Sequence, residues 1–398
     1  MKFAESDRLI FTAWLRVAAV ALLSLMLTSC TSTPDIAAKA RVFGIAVDTK
    51  VDSDVARYYL EQHLQGTHSN PVLTDAIERL HTVHGQGIPT REELRKISHD
   101  FSVDFASLFL VHQLLKDECN RQINADFQRL LSSKTAQRVD TAPYMVLFMP
   151  GWDYADIGTV TGADFAQPRK LVTALGMENH LVGLPPTGSV EDNAKVLSEA
   201  IALHARTGKH ILIAGASSSG PAIHLALGEK VSKDNLKSVK AWLNLGGILQ
   251  GSPLVDYLQL APQRWLFNSV VWFKGWDPQA IQSMSAKESR PRFQRLRIDS
   301  DLLVVNYLGV PLSGQLSQYS RDKYPLLKSD GPNDGLTLLT DVIAPNSLTI
   351  VALGSDHFFA EDPAINAKTV ALMELIVSYM NVNAKRPPAN GLQCGLRQ

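Results

Sequence analysis

The sequence predicts an α/β fold in which helices cover both faces of a mostly parallel sheet. From Pro143 onward, short apolar runs alternate with segments long enough to form helices, as in strands that are joined by helical crossovers. The consecutive apolar residues within each run indicate strands that are buried on both faces. The six predicted strands span residues 144–149, 180–184, 211–214, 241–245, 302–307 and 348–353.

The length and charge of the chain limit what it can do. Its 398 residues exceed the usual size of one domain, which predicts two domains or one domain with large insertions. Lysine plus arginine and aspartate plus glutamate both total 39, and no long basic run is present. This balance gives no electrostatic support for binding nucleic acid.

Residues 1–29 are predicted to be a signal peptide rather than part of the fold. Basic residues precede an apolar run at 17–27, which suits a signal peptide and is too short to span a bilayer comfortably. The run ends in the letters LTSC, which resemble the lipobox of bacterial lipoproteins, so Cys30 would carry the lipid anchor. Thr31 is not the aspartate associated with inner-membrane retention, so the outer membrane is favoured. The alternative is an ordinary secreted protein.

Two cysteines remain in the chain after Cys30, namely Cys119 and Cys394. In an oxidising compartment these two could form a disulfide that ties the C-terminal tail to the N-terminal region. Two separate thiols are nearly as consistent with the sequence.

Residues 30–141 are predicted to form an N-terminal helical region, because apolar residues recur there at helical spacing. His81 and His84 have the spacing of two metal ligands on one helix face. No third ligand with sensible geometry accompanies them in the sequence. We therefore expect neither a metal ion nor an organic cofactor.

The segment 210–227, HILIAGASSSGPAIHLAL, is the most informative part of the chain. An apolar strand runs into a turn of small residues that contains a serine, and apolar residues of a helix follow. This pattern is close to the G-x-S-x-G nucleophile elbow, with Ser219 in place of the second glycine. One register makes Ser217 the nucleophile, and the other makes it Ser218. We favour Ser217, because four apolar residues precede Gly215 and the helix begins at the expected distance; a turn without a nucleophile is the alternative.

A serine hydroxyl needs a base, and the base needs an acid that orients it. His357 follows the last predicted strand, and Asp334 lies in the polar turn PNDGL just before that strand. The order Ser217, Asp334, His357 is the order found in α/β hydrolases. Asp341 and Asp356 are alternative acids.

The same mechanism needs two backbone N–H groups directed at the developing oxyanion. One is expected from Ser218, the residue after the nucleophile. The other is expected from Trp152, because Gly151 after the first predicted strand lets the backbone turn inward.

The motifs together resemble the α/β-hydrolase superfamily, specifically bacterial triacylglycerol lipases and esterases. The resemblance covers about residues 144–380 and is carried by the segments MPGW, GASSSG, LNLGGILQGSPLVDY, PNDGL and GSDHFF. It implies an α/β-hydrolase domain at 142–385, followed by a tail at 386–398. An aromatic-rich segment at 258–300 lies outside the strand pattern and is either a lid over an apolar ligand or a helical excursion that packs on the core.

Together with the predicted lipid anchor at Cys30, the resemblance implies a membrane-anchored serine hydrolase that cleaves carboxylic esters through an acyl-enzyme. Its partners would be an ester or lipid-like substrate and the membrane that holds the anchor at Cys30. The alternative is a non-catalytic lipid-binding or assembly lipoprotein on a hydrolase scaffold. A peptidase or thioesterase would share the triad and differ only in its pocket.

Overall fold

The computed structural model describes residues 36–85, 87–133, 139–299 and 301–384. The predicted signal peptide at 1–29, Cys30, Cys394 and the predicted tail at 386–398 lie outside these residues. None of the described helices is long and apolar enough to cross a bilayer.

Six strands form one sheet in the order β4-β3-β5-β6-β7-β8, and every neighbouring pair is parallel. The predicted fold class, a mostly parallel sheet between layers of helices, is confirmed. The strands are β3 (Tyr144–Met149), β4 (Glu178–Leu181), β5 (His210–Ala216), β6 (Val239–Leu245), β7 (Leu303–Val310) and β8 (Leu348–Leu353).

The predicted strand at 180–184 differs most from the structure. Strand β4 begins at Glu178 and ends at Leu181, and none of its four residues is buried. It is the edge strand of the sheet and has a neighbouring strand on one side only. The apolar run at 180–184 that was used for the prediction extends beyond its end. The predicted strands 144–149 and 348–353 coincide with β3 and β8.

The prediction that the N-terminal region is helical throughout is wrong at its start. Strands β1 (Ile36–Val42) and β2 (Ile45–Val51) form an antiparallel hairpin, in which Ile36 pairs with Val51. Burial along each strand recurs at the period of a sheet, with Ala38, Val42, Val47 and Val51 facing the core. The turn residues Phe43 and Gly44 both have positive φ, as a two-residue hairpin with a primed turn requires.

Five helices follow the hairpin, as the sequence predicted for the rest of this region. The fourth, α4, is buried on almost every side. It packs in one apolar cluster with Leu308 and Val310 of β7 and with Val351 and Leu353 of β8. The N-terminal region therefore shares a core with the sheet. The five helices are α1 (Asp54–Glu61), α2 (Pro71–His84), α3 (Arg91–Asp100), α4 (Val103–Lys116) and α5 (Glu118–Ser132).

Helix α5 also covers the edge of the sheet at β8. Asn120 Oδ1 accepts the N–H of Thr349 at 2.7 Å, and Asn124 Oδ1 accepts the N–H of Val351 at 2.9 Å. The Asn124 amide in turn donates to the carbonyl of Thr349 at 2.8 Å. Two asparagines one helical turn apart thus replace a neighbouring strand and leave no free edge at these positions.

Alternate strand residues contact opposite layers of helices. Val146 and Phe148 face the layer that contains α5, α7 and α16, whereas Met145 and Leu147 face α8 and α9. The remaining helices are α6 (Tyr154–Thr161), α7 (Ala166–Ala174), α8 (Val190–His204), α9 (Ser219–Leu225), α10 (Lys233–Leu236), α11 (Pro253–Leu258), α12 (Gln263–Lys274), α13 (Pro278–Gln282), α14 (Ala286–Arg295), α15 (Tyr324–Leu327) and α16 (Ile365–Ala384).

The aromatic-rich segment after β6 is helical and comprises α12, α13 and α14. In α12 only Val271 is buried. Trp272 and Phe273 are 83% and 82% exposed, and Trp265 is also largely exposed. The helix therefore presents most of its apolar surface to solvent rather than to the core.

Candidate active site

The candidate site lies where the direction of the sheet reverses. The chain leaves β3 for the edge strand β4 and then returns to β5 on the other side of β3. The loops that follow β3 and β5 consequently diverge and leave a crevice at the carboxyl ends of the strands. In open α/β sheets this is the place where ligands bind.

Ser217 occupies the sharp turn between β5 and α9. Its φ is +55°, a left-handed conformation that is costly for a residue with a side chain. Gly215 allows the turn, because a Cβ at that position would lie 2.2 Å from the Cδ1 of Ile223 on the returning helix. Ser218 is buried and has an ordinary right-handed conformation at the start of α9. The sequence left Ser217 and Ser218 open as the residue at the sharp turn, and the structure places Ser217 there.

Ser217, His357 and Asp334 form a continuous hydrogen-bonded chain. The Oγ of Ser217 lies 2.9 Å from Nε2 of His357, and Nδ1 of His357 lies 2.8 Å from Oδ2 of Asp334. Asp334 and His357 are buried, whereas Ser217 is partly exposed. The structure thus brings together three residues that are separated by up to 140 positions in the sequence, with the serine on the accessible side.

Local hydrogen bonds hold the carboxylate of Asp334 in place. Its Oδ1 accepts the N–H groups of Leu336 and Thr337 at 2.9 and 2.8 Å, which leaves Oδ2 for the imidazole. The N–H of His357 also donates to the carbonyl of Asp334 at 3.0 Å. These bonds join the acid turn directly to the loop that carries the histidine.

The two alternative acids are engaged elsewhere. Asp341 is bound by Arg91 through Nε and Nη2 at 3.0 and 2.6 Å. Asp356 accepts the backbone N–H groups of Ser317 and Phe358. Neither is a hydrogen-bond partner of the His357 ring.

Trp152 and Ser218 each present a backbone N–H beside Ser217. Among the described residues no acceptor takes either N–H, although the neighbouring amides of Gly151 and Asp153 are both bonded. The loop after β3 lies close to the serine, since a Cβ built on Gly151 would be in ordinary contact with that of Ser217, at 3.7 Å. The site therefore holds two unengaged donors of the kind that an oxyanion requires.

Ser219 connects the two loops that form the site. Its buried hydroxyl donates to the carbonyl of Met149 at 3.0 Å and also contacts the carbonyl of Pro150. The turn after β5 is thereby tied to the loop after β3, which carries Gly151 and Trp152. Sequence comparison with the elbow motif marked Ser219 only as a departure, because its partners lie about 70 residues earlier in the chain.

The helical segment after β6 reaches the same place. The Trp276 ring, just after α12, meets the Trp152 ring edge-on with centroids 6.0 Å apart. Lys274 at the end of α12 lies 3.6 Å from Asp156 on α6. A pair of aromatic rings therefore lies on the loop that carries the unengaged N–H of Trp152.

The parallel sheet, the turn at Ser217 and the chain order of the three hydrogen-bonded residues together define the fold. It is the α/β-hydrolase fold.

Of the two cysteines predicted to pair, Cys119 is disulfide-bonded. Cys394 lies outside the described residues, so its pairing with Cys119 stays a prediction.

Solved structures similar to this chain include three bacterial or metagenomic proteins. The metagenomic carboxyl esterase MGS0156 is 20% identical over 62% of this chain and 77% of its own, with a TM-score of 0.49. Lipase BlEst2 of Bacillus licheniformis in its mature form is 16% identical over 61% and 96%, with a TM-score of 0.47. EstA of Clostridium botulinum is 10% identical over 62% and 90%, with a TM-score of 0.44. No protein-family model matches the chain, and no curated protein matches it.

Proposed function

We propose that this protein is a serine hydrolase that cleaves carboxylic esters. The observation that carries the proposal is the hydrogen-bonded chain from Ser217 through His357 to Asp334, beside the two unengaged N–H groups of Trp152 and Ser218. A base oriented by a buried acid, next to a serine in a strained turn, is the arrangement that activates a hydroxyl for attack on a carbonyl.

In the proposed reaction, Oγ of Ser217 attacks the ester carbonyl carbon while its proton passes to Nε2 of His357. Asp334 holds the Nδ1–H of the ring and stabilises the imidazolium. The N–H groups of Trp152 and Ser218 stabilise the carbonyl oxygen as it becomes negative. When the carbon–oxygen bond of the leaving alcohol breaks, His357 returns the proton to that oxygen. Water then hydrolyses the acyl-Ser217 ester by the same steps.

The proposed substrates are esters with an apolar acyl chain. Trp152, whose N–H is one of the proposed donors, meets the ring of Trp276, and α12 with its exposed aromatic residues ends two residues before Trp276. An apolar chain that leaves the carbonyl in this direction would contact aromatic surface rather than charged side chains.

A lipid anchor at Cys30, on the periplasmic face of a bacterial outer membrane, is part of the proposal. Ile36 begins the hairpin beside Val51, and the backbone of the adjacent Lys50 packs closely on Gly314, four residues beyond the end of β7. The chain from Cys30 to Ile36 can extend at most about 20 Å. The anchor would therefore hold the carboxyl edge of the sheet, which carries Ser217, near the bilayer.

The test is labelling with a fluorophosphonate, which reacts with activated serines. Labelling is expected in the wild type and in Ser218→Ala, and it should be absent in Ser217→Ala, because Ser217 alone has its hydroxyl on the histidine. Melting temperatures of the three proteins show whether each is folded.

Two results would contradict the proposal. Retention of the label in Ser217→Ala with loss in Ser218→Ala would identify Ser218, rather than Ser217, as the nucleophile. A folded wild type that neither labels nor hydrolyses p-nitrophenyl esters of graded acyl length would favour the non-catalytic lipoprotein instead.

A further inference from the structure

Three buried or half-buried histidines converge in the N-terminal region, away from Ser217. His63 follows α1, His81 lies on α2 and His112 lies on α4. One ring nitrogen of each lies within 4.8 Å of the other two. The ring centroids are 4.7, 5.8 and 6.4 Å apart. The sequence pair His81 and His84 contributes only His81, because His84 turns toward Glu93 and Phe109.

A fourth donor, the hydroxyl of Tyr59, lies between two of these imidazoles. Its oxygen is 3.0 Å from Nε2 of His81 and 2.7 Å from Nδ1 of His112. Two ring nitrogens from different helices thus meet at one hydroxyl, to which both are hydrogen-bonded. Imidazole nitrogen is a ligand that Zn²⁺ and related divalent ions prefer.

His63 has one buried ring nitrogen that no described residue engages. Its Nδ1 is buried and has no hydrogen-bond partner among the described residues. Its Nε2 lies 3.8 Å from the carboxylate of Glu78, beyond hydrogen-bond distance but on the side where a carboxylate often orients a zinc-bound histidine.

Lys116 is the group that opposes a cation at this position. Its Nζ lies 3.0 Å from Nδ1 of His81. A metal ion on Nε2 of His81 would bring a second positive charge close to this ammonium group, so the lysine side chain must turn away. Glu78 is the nearby carboxylate that offsets the added charge, and His68 is a further imidazole at the rim.

We propose that His63, His81 and His112 bind one divalent transition-metal ion, with zinc as the best fit, and that the hydroxyl of Tyr59 occupies the fourth position. Tetrahedral coordination at about 2.1 Å places neighbouring nitrogens about 3.4 Å apart. The distance between any two of the three ring nitrogens, which is at most 4.8 Å, must therefore shorten by about 1.4 Å at most. The ion would join α1, α2 and α4, which together cover the β7 and β8 side of the sheet.

The test uses the full chain without a polyhistidine tag, equilibrated with zinc and then freed of unbound metal. We expect about one zinc ion per chain in the wild type, and zinc should raise the melting temperature by about 3 °C or more. His81→Gln should retain less than about one tenth of that metal. His99→Gln, which removes a fully exposed histidine of α3, is the matched control and should bind as the wild type does.

Lys116→Gln keeps the proposal testable if a ligand variant does not fold. Removing the ammonium should tighten zinc binding by about tenfold, because the competing cation is gone. Cobalt in the wild type should give the visible absorption of a tetrahedral ion. Absence of bound zinc in the wild type, equal zinc in His81→Gln and His99→Gln, or unchanged affinity in Lys116→Gln would each overturn the site. A chelator should leave fluorophosphonate labelling unchanged, since the two sites share no residue.

Discussion

Ser219 shows how a departure from a motif can be compatible with the site. The elbow motif has glycine at this position so that strand and helix can approach closely. Here the next residue, Gly220, makes a close approach, because a Cβ on it would lie 2.7 Å from Cα of Gly247 in the loop after β6. Ser219 instead directs its hydroxyl at the carbonyls that end β3. Its side chain acts on Trp152 through the backbone rather than on a substrate.

Ser219→Ala is expected to lower kcat about tenfold and to change KM little. The substitution removes the bond that holds the loop with the Trp152 N–H against the nucleophile turn, and donor placement affects mainly the transition state. Steady-state kinetics with a p-nitrophenyl ester would measure the effect. The control is Ser218→Ala, which keeps both backbone donors. An unchanged kcat in folded Ser219→Ala would remove this role from Ser219.

At the scale of elements, α5 performs a task that sheets usually give to another strand. Asn120 and Asn124 accept the outward N–H groups of Thr349 and Val351. Because β8 ends just before His357, the position of this strand also determines where the imidazole lies. The edge contact therefore contributes both to stability and to the geometry of the site.

Asn124→Ala is expected to lower the free energy of unfolding by about 2 kcal/mol or more. It leaves a buried N–H at Val351 and a buried carbonyl at Thr349 without partners, and each unpaired group is costly. Urea unfolding would measure the change. Asn268→Ala on the exposed face of α12 is the matched control and should change stability by less than about 0.5 kcal/mol. Equal effects of the two variants would argue against the edge contact.

Helix α9, which follows the nucleophile turn, carries the buried histidine His224 five residues past its start. Its ring stacks on Trp242 and contacts Phe293, and its Nε2 has no partner among the described residues. Burial, with smaller effects from Arg292 and Arg297, lowers the pKa of His224 to about 4. Between that value and the ordinary pKa of histidine, His224 therefore stays neutral in the folded protein, whereas it binds a proton in the unfolded chain.

The free energy of unfolding should consequently fall as the pH decreases from about 6.5 toward 4. The contribution of His224 is fully present above its unfolded pKa and is lost as the pH falls through the folded pKa, at up to about 1.4 kcal/mol per pH unit. Denaturant unfolding across this range should show a shallower dependence in His224→Leu. The exposed-histidine control, His99→Leu, should keep the slope of the wild type, and an equal slope in His224→Leu would contradict the assignment.

At the scale of the whole molecule, two features that the proposed membrane attachment would use are linked to one edge of the sheet. The carboxyl edge carries Ser217 and Trp152, and the ring of Trp276, just after α12, meets Trp152 there. The hairpin that begins at Ile36 and leads back to the proposed anchor packs on Gly314 beyond β7. Leu203, an exposed apolar residue, lies at the end of α8, shortly before β5 begins at the opposite edge. The exposed aromatic surface is thus concentrated on the side where an apolar ester would arrive.

A chain of residues 31–398, which lacks the proposed anchor, is expected to bind phospholipid vesicles through α12. Trp272→Ser together with Phe273→Ser should weaken this binding about tenfold or more, because two largely exposed aromatic side chains are lost. Vesicle co-sedimentation would measure it, with Leu203→Ser as the control. Equal binding of the double variant and the control would place the membrane contact elsewhere.

The sequence by itself determined the features that depend on neighbouring residues. Uninterrupted apolar runs predicted the buried strands, and small residues around Ser217 predicted a tight turn. The order Ser217, Asp334, His357 indicated which residues should meet. The same local evidence failed at β1 and β2, where helical spacing was extended too far toward the N-terminus across a pattern of period two.

Only the tertiary structure decided which distant groups are in contact. Four contacts of this kind join residues that are far apart in the chain. They are the hydrogen bond between His357 and Ser217, the bond from Ser219 to Met149, the cover of β8 by Asn120 and Asn124, and the cluster of His63, His81 and His112. A linear pattern records the preferences of each segment, whereas these contacts depend on how the sheet orders its strands and on which helix face packs against it. Closing those long loops is driven by burial of the shared core, and that burial is a property of the whole fold.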